Sequence, residues 1–202
     1  MNNSEIASII SFLVLLNPFA LFIYLQPVMR EVPKNIFLKV LLKATLISFG
    51  IYFFFLYSGE FIFDKVLQIN FEAFRIFGGI IFFTFAYMFI VQGKKSLISM
   101  KEDLDDLASE IALPFMAGAG TITLSILMGK KYLPLKGLVI LVVIMALNFI
   151  IIVSLMYLRD SLSEKVKIAF DKNMEIALRL NGLFAGAIGL NMIITGINNL
   201  YF

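Results

Sequence analysis

LLNPFALFIYL, residues 15–25, is an apolar run that contains Asn17-Pro18 near its start. A second apolar run, ALPFMAGAGTITLSIL at residues 112–127, contains Pro114 followed by Gly118-Ala119-Gly120-Thr121. In the hydrocarbon of a bilayer each unpaired backbone group costs several kcal/mol, so a broken helix persists only where protein or a polar cavity satisfies its backbone. Two interruptions at corresponding places in two halves are typical of a transporter's substrate site.

The composition predicts an integral membrane protein. The chain has 202 residues, of which 60% are hydrophobic and 15% charged, and its mean hydropathy is +0.94. Soluble domains carry roughly 45–50% apolar and about 25% charged residues. We therefore expect an all-α membrane protein that forms a single transmembrane domain, residues 1–202, without a separate soluble domain.

Missing residue types exclude several kinds of chemistry. The chain contains no Cys and no His, which excludes disulfides, thiolate and imidazole catalysis, and Cys/His zinc sites. No Asp or Glu lies deep in a predicted span, so a membrane-embedded carboxylate or metal hydrolase has no obvious residues. We expect no enzyme, no cofactor and no metal site. The net charge of +3 is expected to mark cytoplasmic loops and not nucleic-acid binding.

Six hydrophobic segments approach or exceed the roughly 20 residues that a bilayer span requires. They are residues about 5–28, 36–58, 72–92, 111–128, 135–158 and 177–200. We group them as repeat one (about 1–93), a linker (94–109) and repeat two (about 110–202), with the first and fourth segments interrupted. Because three spans end on the opposite side of the membrane, the second repeat is expected to be inverted relative to the first.

A weak internal similarity supports the two repeats. Residues 73–92 and 177–196 match at a shift of 104, and the matches include Arg-x-x-Gly at Arg75 and Arg179. The alternative is two unrelated groups of three apolar helices. Several glycines are expected to be packing notches, with hinge motion as the alternative: Gly78, Gly79, Gly182, Gly186 and Gly189.

Basic residues predict the orientation in the membrane. Loops one, three and five hold eleven Lys and Arg residues, whereas the termini and loops two and four hold four. The positive-inside rule then places both termini outside the cytoplasm. Lys130, Lys131 and Lys136 argue against this orientation locally.

The first candidate site is the Asn17-Pro18 interruption. Proline removes a backbone donor and clashes with the carbonyl four residues earlier. The freed carbonyls near Leu13 and Val14, together with the Asn17 amide, could therefore face a polar ligand. The alternative is a simple proline kink that serves helix packing.

The second candidate site runs from Pro114 to Thr123. Gly118 and Gly120 tolerate unwound backbone, and bare amides at the start of the following half-helix favour an anion such as a carboxylate. Thr121 and Thr123 add hydroxyl groups. The alternative is a small-residue surface for helix packing.

Two asparagines of the sixth segment, Asn181 and Asn191, are further candidates for the substrate site, because polar residues within a membrane usually face the bundle interior. Hydrogen bonding to a neighbouring helix is equally consistent with each. The linker carries a group of acids that is expected to be solvated, with a divalent-cation site as the alternative: Glu102, Asp103, Asp105 and Asp106.

Arg75 and Arg179 lie near the starts of the third and sixth segments. Anchoring at the membrane interface is one interpretation, and a gate or ion pair is the other. Glu72 and Glu175, three and four residues earlier, are the expected partners on the same helix faces.

These motifs together resemble the MarC family of bacterial and archaeal inner-membrane proteins, also called the neutral amino acid transporter family. The residues that carry the resemblance are Leu16–Phe19, Arg75–Gly79, Pro114–Thr121, Arg179–Leu183 and Asn191–Ile197. The chain departs from the family pattern at Ala20, Tyr87, Ala119 and Thr195. The resemblance implies six helices, a location in the cytoplasmic membrane and, for some members, transport of small neutral amino acids.

We therefore expect a secondary transporter for glycine- or alanine-like zwitterions that works by alternating access. H⁺ or Na⁺ is the expected coupling ion, and a homo-oligomer is compatible with the sequence. The substrate carboxylate would meet the amides of Gly118–Thr121, and its ammonium the carbonyls near Asn17. The alternative is a non-transporting membrane scaffold or assembly partner with a packed, dry centre.

Overall fold

A computed structural model describes residues 2–93 and 116–201 of the chain. These two ranges contain seven α-helices and no strand: α1 (Asn3–Leu16), α2 (Pro18–Glu31), α3 (Lys34–Phe61), α4 (Phe71–Val91), α5 (Ala119–Lys131), α6 (Pro134–Asp160) and α7 (Glu164–Tyr201). The all-α prediction is confirmed for this part of the chain. The linker 94–109 with its acids, Pro114 and the start of the fourth segment lie outside the described residues.

Five described stretches are long and apolar enough to cross a membrane. They are Asn3–Arg30, Lys34–Gly59, Phe71–Val91, Pro134–Asp160 and Glu164–Tyr201. Large apolar side chains point outward from these helices, as Phe54 and Ile150 do, and a lipid environment suits such side chains. Helix α5 has 13 residues and spans only about 20 Å at 1.5 Å per residue. The chain is a multi-pass membrane protein.

Two stretches differ from the sequence-based expectation. Helix α7 begins at Glu164, well before the predicted start at residue 177. Residues 164–176 include several charged residues that form helices well, and a search for apolar segments does not detect such a helix. Helix α3 continues into a π-helical segment, Ile62–Leu67. That segment ends at Gln68, whose φ is 53°.

Helices α4 and α7 pack antiparallel and very closely. Glycines remove the side chains that would keep the two backbones apart: a Cβ added to Gly79 would lie 2.6 Å from the Gly189 carbonyl oxygen, and one added to Gly196 would lie 3.2 Å from the Glu72 carbonyl oxygen. Close backbone approach at small residues is a main source of helix association in lipid. The predicted role of Gly79 and Gly189 as packing notches is confirmed.

Replacing Gly79 with valine is expected to separate α4 from α7. The new side chain would meet the Gly189 backbone, which cannot move aside as a flexible side chain does, so we expect a loss of about 1–3 kcal/mol in unfolding free energy. Denaturation of the purified protein in detergent measures this loss. Gly50→Val is the matched control, because nothing lies within 4 Å of a Cβ added at Gly50; equal losses in the two variants would contradict the prediction.

The pair α2–α3 corresponds to the pair α5–α6 at a shift of 100. The turns that join the helices of each pair match, since Val32 (φ −114°, ψ 150°) and Tyr132 (φ −119°, ψ 149°) have nearly the same backbone angles. The buried faces of α3 and α6 also match at this shift: Phe37 with Gly137, Leu41 with Leu141, Ala44 with Ile144, Thr45 with Met145, Ser48 with Asn148, Tyr52 with Ile152 and Leu56 with Met156. The two pairs therefore use the same faces for packing.

The core consists of a large apolar cluster and smaller ones beside it. The large cluster joins α1, α2, α3 and α6, and includes Phe12, Phe22, Tyr52 and Ile144. A second cluster of Leu15, Phe82, Ala86, Ala185 and Met192 joins α1, α4 and α7. The break between α1 and α2 lies where these two clusters meet.

Candidate functional site

Asn17 forms the first break. Its φ of 49° and ψ of 70° are left-handed, a conformation that Asn tolerates better than most residues. Its Oδ1 accepts a hydrogen bond from the Ala20 amide at 3.0 Å, and Pro18 is the first residue of α2, where its missing N–H costs nothing. Asn17 therefore ends α1 and caps α2.

Asn181 completes the first break from another helix. Pro18 has no N–H, so the Val14 carbonyl, four residues earlier, lacks its usual helical donor. Asn181 of α7 supplies one, because its Nδ2 donates to the Val14 carbonyl oxygen at 2.8 Å. The Leu13 carbonyl accepts from the Asn17 amide at 3.0 Å. Both carbonyls that the sequence offered to a ligand thus have partners within the protein.

Gly118 marks the start of α5 at the second predicted interruption. It is the N-cap residue of α5, with φ −80° and ψ 164°, and no described side chain caps the helix. The Thr121 hydroxyl donates to the carbonyl oxygens of Met116 (2.8 Å) and Gly118 (2.9 Å). The Tyr52 hydroxyl of α3 also donates to the Met116 carbonyl. These bonds hold the short backbone segment that leads into α5 in place.

The two breaks line one cavity of about 340 Å³. Asn17 contributes from the first break, and Gly118, Gly120 and Thr121 contribute from the second. Pockets that bind small molecules start at about 300 Å³. The structure therefore brings together four of the residues that the sequence singled out as substrate-binding, from segments about a hundred residues apart.

The polar groups at this cavity include hydrogen-bond donors. Asn17 is 4% exposed, and its Nδ2 has no hydrogen-bond partner among the described residues. The first amides of α5 lack intrahelical acceptors, as at every helix start, and this end of a helix carries partial positive charge. A buried donor without a partner costs about 1–3 kcal/mol. A ligand oxygen that accepts from these groups would remove that cost.

Four other described residues of the predicted site do not line the cavity, and one of them is Pro18, the first residue of α2. Thr123 is buried between α5 and α4, where its hydroxyl donates to the Ala119 carbonyl oxygen at 2.8 Å. Asn181 donates its hydrogen bond to the Val14 carbonyl oxygen at the first break, as described above. Asn191 is exposed on the outer face of α7.

Both arginines form the ion pairs that the sequence predicted. Arg75 Nη1 lies 2.9 Å from Glu72 Oε2, and Arg179 Nη2 lies 3.3 Å from Glu175 Oε1. Arg179 also donates to the Ile90 carbonyl oxygen of α4 at 2.8 Å. Neither arginine lines the cavity: Arg75 forms its ion pair within α4, and Arg179 links α7 to α4.

Sequence reasoning missed the apolar wall of the cavity. Phe82, Phe85 and Phe89 of α4 line it, as do Leu16 and Leu21 beside the first break. Their spacing of three and four residues on α4 is a signal for one helix face. Because α4 is apolar all round, that signal does not stand out in the sequence.

Comparisons with known proteins agree on one family. A family model described as "MarC family integral membrane protein" matches residues 3–201. A UPF0056 membrane protein of Aquifex aeolicus is 28% identical over 204 residues, covering 96% of this chain and 92% of that protein. One of Methanocaldococcus jannaschii is 26% identical over 208 residues (98% and 89%).

The bacterial relative YhcE of Escherichia coli, also described as a UPF0056 membrane protein, is 30% identical over 159 residues, which is 72% of this chain and 71% of that protein. No solved structure matches the chain. The family model covers both breaks, the Arg-Glu pairs and the residues of the α4–α7 contact. The chain belongs to the MarC family of integral membrane proteins.

Proposed function

We propose that this protein is a secondary transporter of small neutral amino acids, and not an enzyme. The observation that carries the proposal is the shared cavity: two interrupted helical segments reach one small-molecule-sized space between the apolar clusters. Interrupted helices that meet at one site are the usual substrate-binding arrangement of secondary transporters. Since the chain lacks Cys and His, the cavity offers binding groups and no obvious nucleophile.

The donors at the cavity suit a carboxylate. Asn17 Nδ2 and the first amides of α5 would bind its oxygens, aided by the positive end of the helix dipole. The Thr121 hydroxyl already donates its hydrogen to backbone carbonyls, so its oxygen keeps lone pairs that could accept from an ammonium group. This replaces the carbonyls of Leu13 and Val14, which are bonded within the protein.

Inverted repeats and six spans are part of the same proposal. The match of α2–α3 with α5–α6 at a shift of 100 supports it, as does the antiparallel packing of α4 against α7, whose sequences match at a shift of 104. Two elements related by a two-fold axis in the membrane plane must run antiparallel where they meet on that axis. The sixth span would then be the predicted segment 111–128, which overlaps α5.

Alternating access would move one repeat against the other around the cavity. The Arg75–Glu72 pair lies at the start of α4, and the Arg179–Glu175 pair lies beside the end of α4 at Ile90, where they could exchange partners as gates. We propose H⁺ or Na⁺ as the coupling ion, the bacterial or archaeal cytoplasmic membrane as the location, and both termini outside the cytoplasm, as the Lys and Arg distribution favours.

A non-transporting scaffold is the competing proposal. It requires a dry, tightly packed centre in which the breaks only bend helices. The cavity of about 340 Å³ between the breaks and the unpartnered Asn17 Nδ2 beside it both favour the transporter.

Uptake by proteoliposomes tests the proposed function. Liposomes that contain the purified protein are expected to accumulate radiolabelled neutral amino acids above protein-free liposomes, with a H⁺ or Na⁺ gradient increasing the rate. The panel should include glycine, alanine, serine and leucine. Absence of both uptake and binding across the panel would reject the substrate class and favour the scaffold.

A further inference from the structure

One side of the cavity is aromatic and aliphatic. Phe82, Phe85 and Phe89 lie three and four residues apart on α4, which places them on one helix face. The rings of Phe85 and Phe89 are stacked, with centroids 6.3 Å apart and an interplanar angle of 18°. Leu16 and Leu21, which lie just before and just after the first break in the sequence, line the same cavity.

The donors lie directly beside this apolar wall. A Cβ added to Gly120 would collide with the Phe82 ring, so the first turn of α5 and the aromatic face of α4 are in contact. Asn17 is 4% exposed and lines the same cavity, and its Nδ2, itself buried, has no partner among the described residues. The cavity therefore places hydrogen-bond donors directly beside an apolar wall.

We propose that the occupant is a carboxylate with an aliphatic tail of leucine size, and that Phe82, Phe85 and Phe89 form a subsite for that tail. This inference rests on the proposed function, because it uses the same cavity, and it changes the expected substrate from glycine or alanine to a larger aliphatic amino acid. The carboxylate accepts from Asn17 Nδ2 and the first amides of α5. The tail covers the aromatic face of α4.

The tail sets the expected selectivity. Burying one methylene group in an apolar site strengthens binding roughly fourfold, and pockets discriminate a single methylene by about 10–200-fold at most. Leucine has four more carbon atoms than glycine. We therefore expect leucine to bind at least about tenfold more tightly than glycine.

The experiment compares four compounds by equilibrium binding to the purified protein in detergent. These are leucine, glycine, 4-methylpentanoate (leucine without its amino group) and 3-methylbutylamine (leucine without its carboxylate). Leucine and 4-methylpentanoate are expected to bind, and 3-methylbutylamine is expected not to bind. Phe85→Ala and Phe89→Ala are expected to reduce the leucine-over-glycine ratio severalfold.

Phe83→Ala is the matched control. Phe83 lies on α4, is 45% exposed and does not line the cavity, so its removal should leave the ratio unchanged. Equal affinity for glycine and leucine would overturn the tail subsite but leave the proposed function standing. Binding of 3-methylbutylamine as tight as that of leucine would overturn the carboxylate end. Failure of every compound to bind would overturn both proposals.

Discussion

Gly118→Val is expected to abolish ligand binding and transport while the protein remains folded. Nothing lies within 4 Å of a Cβ added at Gly118, so the valine side chain would enter open space at the edge of the cavity without displacing protein atoms. The backbone angles of Gly118 are extended, a conformation that a β-branched residue adopts readily. Filling the space that the carboxylate needs is expected to weaken binding by up to about a hundredfold, because the valine side chain and the ligand cannot occupy the same volume.

Binding of radiolabelled substrate and uptake by proteoliposomes measure the effect of Gly118→Val. Thermal denaturation must accompany them, because the result is informative only if the midpoint stays close to that of the wild type. Gly50→Val makes the same chemical change on the outer face of α3 and should leave binding intact. Wild-type binding by Gly118→Val would show that the cavity is not the substrate site.

Asn181→Leu is expected to destabilise the protein by about 1–2 kcal/mol. The substitution removes the donor that reaches the Val14 carbonyl at 2.8 Å and leaves that part-buried carbonyl without this side-chain partner. Loss of a hydrogen bond with a buried group left unsatisfied costs about 1–3 kcal/mol, and interhelical hydrogen bonds in membranes lie at the lower end, up to about 1.7 kcal/mol.

A double-mutant cycle with Pro18→Ala identifies the cause. Alanine restores an N–H four residues after Val14, so α1 can continue into α2 and supply the missing donor itself. Asn181→Leu should then cost much less in the Pro18→Ala background than in the wild type, with a coupling free energy of about 1 kcal/mol. Asn191→Leu is the control on the same helix and should be nearly neutral, because Asn191 is exposed. Equal costs of Asn181→Leu in both backgrounds would contradict the role of Asn181 at the break.

The features that depend only on residues close together in the sequence were predictable. Asn-Pro inside an apolar run favours a helix break, and both Arg-Glu pairs follow from helical spacing alone. The glycines of α4 and α7 indicate close packing because few other arguments explain so many of them in two apolar helices. The sequence also singled out Asn17, Gly118, Gly120 and Thr121 as candidate site residues. These four residues line one cavity because of where the two breaks lie.

The features that depend on which helices meet were not predictable. Asn181 and Asn191 have the same chemistry and lie on one helix, but ten residues of helix place them about 80° apart around its axis, so one faces α1 and the other faces outward. Phe82 and Phe83 are also indistinguishable in sequence. In a soluble protein, polarity would separate the inward from the outward face; in lipid both faces are apolar, and only the three-dimensional packing shows which ring lines the cavity.

The bond between Asn181 and Val14 has a consequence for the order in which this protein is made. The α1–α2 segment leaves the ribosome before α7, and its break contains a carbonyl that neither of its two helices satisfies. In hydrocarbon that carbonyl costs several kcal/mol until a donor arrives. The donor lies on α7, the last helix of the described chain to be synthesised. The interrupted N-terminal span therefore enters the bilayer with this carbonyl unpaired, and the substrate site takes its final form only when α7 packs against it.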